Sequence, residues 1–385
     1  VDRLRQIAQQ RAISRRDFLR SAAMAGTASR LLGFSPLRAA TLSREVKTVV
    51  VTFGGGARDE ETFAPEGQEN IPHLMNELIP QATFFTQVVN RGILGHYVAT
   101  ASLATGVYER FDNFADVAPK NPTLFEYFRK GLNRPVNDAW VIAPSNGFNR
   151  IGQSDGSLIA PGMGAQVILP KHLLASALGT NSAMSPGLEF LLQDNYENLL
   201  FTPPAVQSSL QAAKLTELLH LSVDDFARHA KTLTSADELS VYVMRQLMHR
   251  YAPSLLWITL HDMDIAHSGA YSLYLEGVRR TDRLCAEIWQ MIESDPEYKG
   301  RTTMLILPDF GRDSDFSASG NGFQHHRTGD PLSRTTWMLA MGPHVRQNIT
   351  VERPLDSLDL VPTLGAIGQF ATPFAHGKPI LEVLA

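Results

Sequence analysis

The chain of 385 residues carries a single cysteine, Cys285, so no internal disulfide can form and no disulfide partner is expected. Cys285 lies among apolar residues of a helical stretch, where a small buried thiol is the expected role. No apolar run approaches the ~20 residues that span a bilayer. An excess of positive charge is also missing. Lys and Arg number 35 against 39 for Asp and Glu, a net charge of -4, and no Lys/Arg stripe interleaves with aromatics. That excludes a nucleic-acid footprint. Internal repeats and low-complexity segments are absent too. What remains is a composition 44% hydrophobic and 19% charged, which is that of an ordinary globular protein.

The first residues read as an address rather than as fold. Ser14-Arg15-Arg16-Asp17-Phe18-Leu19-Arg20 is followed by a weakly apolar stretch, residues 21–32, rich in Ala, Gly and Ser. The run resembles a twin-arginine export signal, with both arginines and the Phe-Leu pair in register. It is interrupted by Arg20 and Arg30 and is too short for a membrane span. Residues 1–40 are therefore set aside from the fold. The resemblance implies the twin-arginine export machinery as a partner, a periplasmic or extracytoplasmic location, and transport of an already folded chain.

From Val46 onward the text alternates between strands and helices. Residues 46–53 (VKTVVVTF) form a β-branched run stopped by Gly54-Gly55-Gly56, the pattern of a buried parallel strand. Further strands are expected at 138–143, 165–169, 255–260, 302–307 and 336–341. Residues 205–250 are mostly helical in character, and 270–295 repeat apolar positions near a 3.6 period. A last helix begins near Asp356, with Ser357 or Asp359 as its cap. The expected fold is α/β: a mostly parallel central sheet with helices on both faces. It makes a single large domain over residues 41–385, with 110–250 as an inserted middle region.

Polar clusters recur just after strands. Gly54–Glu61 follows the first. His261, Asp262, Asp264 and His267 follow the strand at 255–260. Asp309 and Asp313 follow the strand at 302–307. In open α/β sheets, ligands bind outside the carboxyl ends of strands. A fourth cluster, His325-His326-Arg327, lies in a loop between strands. Carboxylates and imidazoles converging there are the ligand set of zinc or a similar divalent ion. Taken singly, Asp262 and Asp264 fit helix caps and Asp309 fits a turn.

On these residues the chain resembles the alkaline phosphatase superfamily of phosphatases, phosphodiesterases, sulfatases and phosphoglycerate mutases. Asp359-Leu360-Val361-Pro362-Thr363 matches its Asp-x-x-Pro-Thr element, and Thr105-Gly106 its Thr-Gly marker. Asp264-Ile265-Ala266-His267 resembles its Asp/His element, one residue short. Asp309-Phe310-Gly311-Arg312 resembles Asp-His-Gly-Arg with Phe in place of His, and His326, or its neighbour His325, matches the late histidine. The resemblance implies the alkaline phosphatase-like fold and two adjacent metal sites. For the first site Asp264, His267 and His326 are present. For the second only Asp309 remains, because Gly54-Gly55-Gly56 stands where the first Asp belongs. The nucleophile position falls on His96, or on Gly92 with a small gap.

These losses lead to an expectation of one divalent ion, zinc by its ligands, rather than two. Three protein ligands and an open position make a catalytic zinc site, and two ions would be needed to clamp both oxygens of an in-line displacement. His96 can act as nucleophile, base or extra ligand, or be placed by packing alone. Arg58 can grip a phosphate or sulfate oxygen. Asp59, Glu60 or Glu61 can stand in for the missing acid. Three functions follow: an exported hydrolase of phosphate or sulfate esters acting on a small-molecule or envelope substrate; a catalytically inactive relative that binds or assembles; and an envelope phosphoryl or head-group transferase.

Overall fold

In a computed structural model the chain is described over residues 46–178, 191–192, 217, 219, 221–316, 320–327, 329–343 and 345–383. The twin-arginine run at residues 14–20 lies outside them.

The β-branched run opens the fold as β1 (Lys47–Phe53), every residue of it buried. Strands β2 (Ala82–Val89), β3 (Ala139–Ile142), β4 (Gln166–Ile168), β5 (Leu255–Leu260), β6 (Thr302–Leu307), β7 (Thr335–Met341), β8 (Ile349–Val351) and β9 (Leu355–Asp356) join it in one sheet. Their spatial order is β4-β3-β5-β1-β6-β7-β2-β8, with β9 also paired to β2. β1 lies at the centre, parallel to β5 on one side and β6 on the other. Only β7 runs against its neighbours β6 and β2. β2 therefore points the same way as β1, β5 and β6, and all four end at one rim.

The longer α-helices among the described residues are α1 (His96–Thr105), α2 (Leu124–Leu132), α3 (Pro170–Leu178), α4 (Val223–Ala230), α5 (Ala236–Tyr251), α6 (Tyr271–Ser294) and α7 (Leu360–Gly368). They cover both faces of the sheet. Val49, Val51 and Phe53 of β1 pack with Leu239 and Met244 of α5 and Tyr274 and Val278 of α6. Val50 faces the other way, among Tyr97 and Ala101 of α1, Phe125 of α2 and Val361 of α7. Alternate residues of one strand thus feed two cores, and each fully buried valine contributes roughly 1.5–3 kcal/mol.

The mostly parallel sheet with helices on both faces is as the sequence pattern requires. Two details differ. The middle region is not simply inserted, because β3 and β4 extend the sheet beyond β5. A 3-10 turn, Ser357–Asp359, precedes α7, so Asp359 stands at the N-cap of α7 as expected but makes no side-chain cap bond there, and the turn itself is capped by Asp356. Its carboxylate accepts from the Leu358 amide, and the Asp359 side chain accepts from the Asp356 amide in return.

Candidate metal centre

Four chain segments leave the common rim and meet. The turn after β5 is a 3-10 helix, Asp262–Ser268, which presents Asp264 and His267 one turn apart. β6 leads directly into Asp309 and Phe310. After β2 the chain reaches Leu94 and Gly95 and enters α1, whose first residue is His96. His326 comes from the connection between β6 and β7. Ligand atoms of His96, Asp264, His267 and His326 lie within 4.8 Å of one another, so this His/Asp cluster can hold a metal ion.

The turn after β1 explains the triple glycine. Gly55 has φ +93°, and a Cβ there would lie 2.7 Å from the amide nitrogen of Asp264. Gly56, at φ +72°, would meet the carbonyl of Gly311 at 3.0 Å. The absent side chains let the loops bearing Asp264 and Asp309 close over the end of β1. The carbonyls of Gly55 and Gly56 turn to Arg312, whose guanidinium donates to both, to the Phe323 carbonyl at 3.0 Å, and to Asp264 Oδ1 at 3.4 Å. Arg312 is wholly buried. Its fixed positive charge thus lies against the glycine turn, where the resemblance would have an acid in the sequence.

His96 is the centre of the arrangement. Its Nδ1 lies 2.6 Å from Asp309 Oδ2, and its Nε2 lies 2.9 Å from Asp264 Oδ1. The second contact lacks hydrogen-bonding geometry, so Nε2 is a buried nitrogen with no hydrogen-bond partner, aimed into the cluster. Phe310 stacks on the ring at 4.5 Å between centroids. Burial by itself pushes His96 down, but the charges of Asp309 and Asp264 outweigh it and hold the imidazole up at about 9. Asp264 answers in kind. Burial would raise it, yet His96, His261 and the His267 hydrogen bond keep it well below the usual carboxylate range. His326 is pushed down to about 2 by burial and then by the neighbouring cations His96 and Arg312. Its ring is neutral in the working range.

These contacts test the fit of a metal ion. His326 places Nδ1 2.8 Å from the Leu94 carbonyl. A neutral ring must donate there, which leaves a lone pair on Nε2. That Nε2 faces His267 Nε2 at 2.9 Å, and His267 Nε2 lies 3.2 Å from Asp264 Oδ1. Asp309 does for His96 Nδ1 what Leu94 does for His326. A ligating histidine characteristically donates its other ring nitrogen to a carboxylate or carbonyl. Two imidazoles so fixed, a third beside them and one carboxylate make an N/O set suited to zinc. An ion bound here would be held by His96 Nε2 in place of a proton.

The surroundings fix these side chains. Asp313 accepts from the Arg327 amide at 2.6 Å, while its own amide donates to the His325 carbonyl, so both neighbours of His326 are pinned. Asn113 Oδ1 accepts from the Tyr97 amide at 3.0 Å and holds the start of α1. Asp237, buried at the start of α5, accepts from the amides of His261 at 2.7 Å and Asp262 at 2.9 Å. A pocket of about 720 Å³ opens over the cluster, with His96, Asp264, His267 and His326 in its wall. The His267 side chain is 38% exposed against 2% for His96, so the cluster meets the pocket on the His267 side.

The structure thus brings together Asp264, His267 and His326 with His96, and sets Asp309 behind His96 rather than among the converging atoms. His325 contributes its carbonyl to Asp313, not its ring to the cluster. Arg58 does not line the pocket. Its guanidinium pairs with Glu61 and, at 2.6 Å, with Asp315, so Glu61 is committed as well. Asn113 and Asp237 carry no sequence signal by themselves, since their partners here are backbone amides at a distance in the chain. Arg312 belongs to a motif, but its role in holding Gly55, Gly56 and Asp264 is not legible there.

No protein-family model matches the sequence, and no curated protein does. Solved structures do match. A phosphonate monoester hydrolase, SpPMH from Silicibacter pomeroyi, superposes with a TM-score of 0.53 at 13% identity, over 88% of this chain and 76% of that one. Wild-type alkaline phosphatase PafA gives 0.52 at 10% identity, over 89% and 99%. The PsFucS1 sulfatase from Pseudoalteromonas sp. gives 0.52 at 11% identity, over 90% and 73%. At such identities the likeness speaks for the fold, and the fold of this chain is that of the alkaline phosphatase superfamily.

Proposed function

We propose that the chain is an exported hydrolase of phosphate or sulfate esters that works with one divalent ion, zinc by the chemistry of its ligands, held by Asp264, His267, His326 and His96. The observation that carries this reading is the convergence of four ligand atoms, three of them imidazole nitrogens, on the floor of a pocket large enough for a small ester. Such an ion supplies Lewis-acid polarisation of a phosphoryl or sulfuryl oxygen. The residues do the rest. Asp309 holds the His96 ring in one orientation, Arg312 holds Asp264, and the His267 side leaves the approach open. No serine, threonine or cysteine stands at the start of α1, and the Tyr97 hydroxyl donates to the Val117 carbonyl, so the side-chain nucleophile of the fold family has no counterpart and water is the acceptor.

The measurement is metal content and turnover of the purified full chain. One equivalent of tightly held zinc, and hydrolysis of an activated aryl ester that His267→Ala abolishes, is the expected result. Zinc without turnover of any phosphate or sulfate ester favours the second reading, a binding or assembly protein with a closed metal site. One feature supports that alternative: four protein ligands complete a tetrahedron, as in structural zinc sites. Label passing from donor to an acceptor other than water would indicate a transferase.

Export rests on Ser14–Arg20. Replacing Arg15 and Arg16 together with Lys is expected to leave the chain in the cytoplasmic fraction, whereas unchanged export would remove the twin-arginine route.

A further inference from the structure

We infer that the site selects a singly charged ester carrying an apolar group, a phosphodiester or a sulfate monoester, over a doubly charged phosphomonoester. The inference rests on the metal centre proposed above but not on turnover.

The first argument is charge. Among the described residues that line the pocket, none is Lys or Arg. The cations nearest to hand are committed: Arg312 is buried on Gly55, Gly56, Phe323 and Asp264, and Arg58 is paired with Glu61 and Asp315. Asp264 and Asp309 offset two positive charges of the centre. A divalent ion together with Arg312, set against these two carboxylates and three neutral imidazoles, leaves one unit of positive charge. A monoanion neutralises it. A dianion leaves an uncompensated negative charge in a partly desolvated site, which is costly.

The second argument is shape and surface. Ile93, Leu94, Phe114 and Ile265 line the pocket together with the histidines. Phe114 is 66% exposed and Ile93 42% exposed. Two large apolar side chains held in water at the mouth of one pocket, beside a metal-ligand cluster, are suited to an aryl or alkyl substituent of the ester. The charged end of such an ester is then directed to the cluster and the apolar end to Phe114.

Binding separates this inference from catalysis. Calorimetry on the zinc-loaded full chain would compare benzenesulfonate, methanesulfonate and phenylphosphonate, at a pH where the phosphonate is fully ionised. Benzenesulfonate is expected to bind about tenfold or more tighter than either of the others. Phe114→Ala, at an exposed position, is expected to narrow the gap between benzenesulfonate and methanesulfonate severalfold. Tighter binding of phenylphosphonate, no aryl preference, or no binding of any of the three would overturn the inference. A parallel assay with phenyl p-nitrophenyl phosphate, p-nitrophenyl sulfate and p-nitrophenyl phosphate tells diester from sulfate. Turnover of the doubly charged monoester ahead of both others also overturns it. A binding preference as expected with no ester turned over refutes hydrolysis and leaves the selectivity standing.

Discussion

At the scale of single residues, the chemistry turns on which nitrogen of each histidine is committed. His96 and His326 are both tied at Nδ1, to Asp309 at 2.6 Å and to the Leu94 carbonyl at 2.8 Å. Asp309 is therefore a positioning residue, and removing it frees the His96 ring without deleting a converging ligand atom. Asp309→Ala is expected to weaken zinc binding by about 10–100-fold, measured by competition with a chromogenic chelator. An unchanged affinity would show that His96 stands outside the metal's reach. Part of this was visible in the sequence, because Asp264, His267 and Asp309 follow strand ends and His326 lies in the next loop, in the order of the motifs. The pairing of Asp309 with His96 was not. Those residues are far apart in the chain, and only the shared rim of β2 and β6 brings them within a hydrogen bond.

At the scale of elements, two local devices hold the site. The first is the turn after β1. Gly55→Ala forces a Cβ at φ +93° to within 2.7 Å of a backbone amide in the Asp264 loop. Strain of this kind costs about 1–3 kcal/mol, and the Asp264 loop is the part that must yield. The expected outcome is lower stability in denaturant titrations together with weaker zinc binding. Wild-type values for both would mean that the loops do not depend on the glycine.

The second device joins α6 to the chain before β2. Asp282 on α6 is buried and accepts from the amides of Leu74 at 2.7 Å and His73 at 3.0 Å. Burial, opposed by these two donors, raises its pKa to about 6. The folded value lies above the unfolded one, so between about pH 4 and pH 6 the folded state binds more protons than the unfolded state. The contribution of Asp282 is thus complete below that window and is lost as pH rises through it. Asp282→Asn is expected to flatten the fall in stability over this window, seen in denaturant midpoints measured at several pH values. Parallel pH curves for the two proteins would contradict the assignment.

Strands were legible where β-branched runs meet glycine, as at β1, β5 and β6, because full burial leaves continuous apolar text. β2 escaped that reading. Its sequence Ala82–Val89 mixes buried and exposed positions, and its pairing to β7 carries an irregularity between Phe85 and Val88. The reversed direction of β7 has no sequence signal, since a parallel and an antiparallel strand with both faces covered read alike.

At the scale of the molecule, a metal ion that binds the folded chain and not the unfolded one stabilises the whole domain. At a free concentration of 100 times Kd the gain is about 2.7 kcal/mol. Thermal unfolding is expected to shift upward by several degrees on adding zinc, and His267→Ala to lose most of the shift. A shift that survives in the variant would place the ion elsewhere. The fold-level likeness to phosphatases and sulfatases was legible from motif order alone. In the middle region β3 and β4 were legible as strands, at 138–143 and 165–169, but their place at the edge of the sheet was not, and the helices between β4 and β5 are read only by composition.

The reversed strand β7 has one more consequence. Because β6 and β7 are antiparallel neighbours, the connection over residues 308–334 departs from and returns to the same rim. It carries Asp309, Phe310, Arg312, Asp313 and His326, yet it never has to cross a face of the sheet or displace a covering helix. Such a segment can be lengthened, shortened or exchanged as a cassette while the strands on either side keep their register. Ligand set and scaffold can therefore drift at different speeds, which is how a chain can keep this architecture while swapping one arrangement of charges at its rim for another.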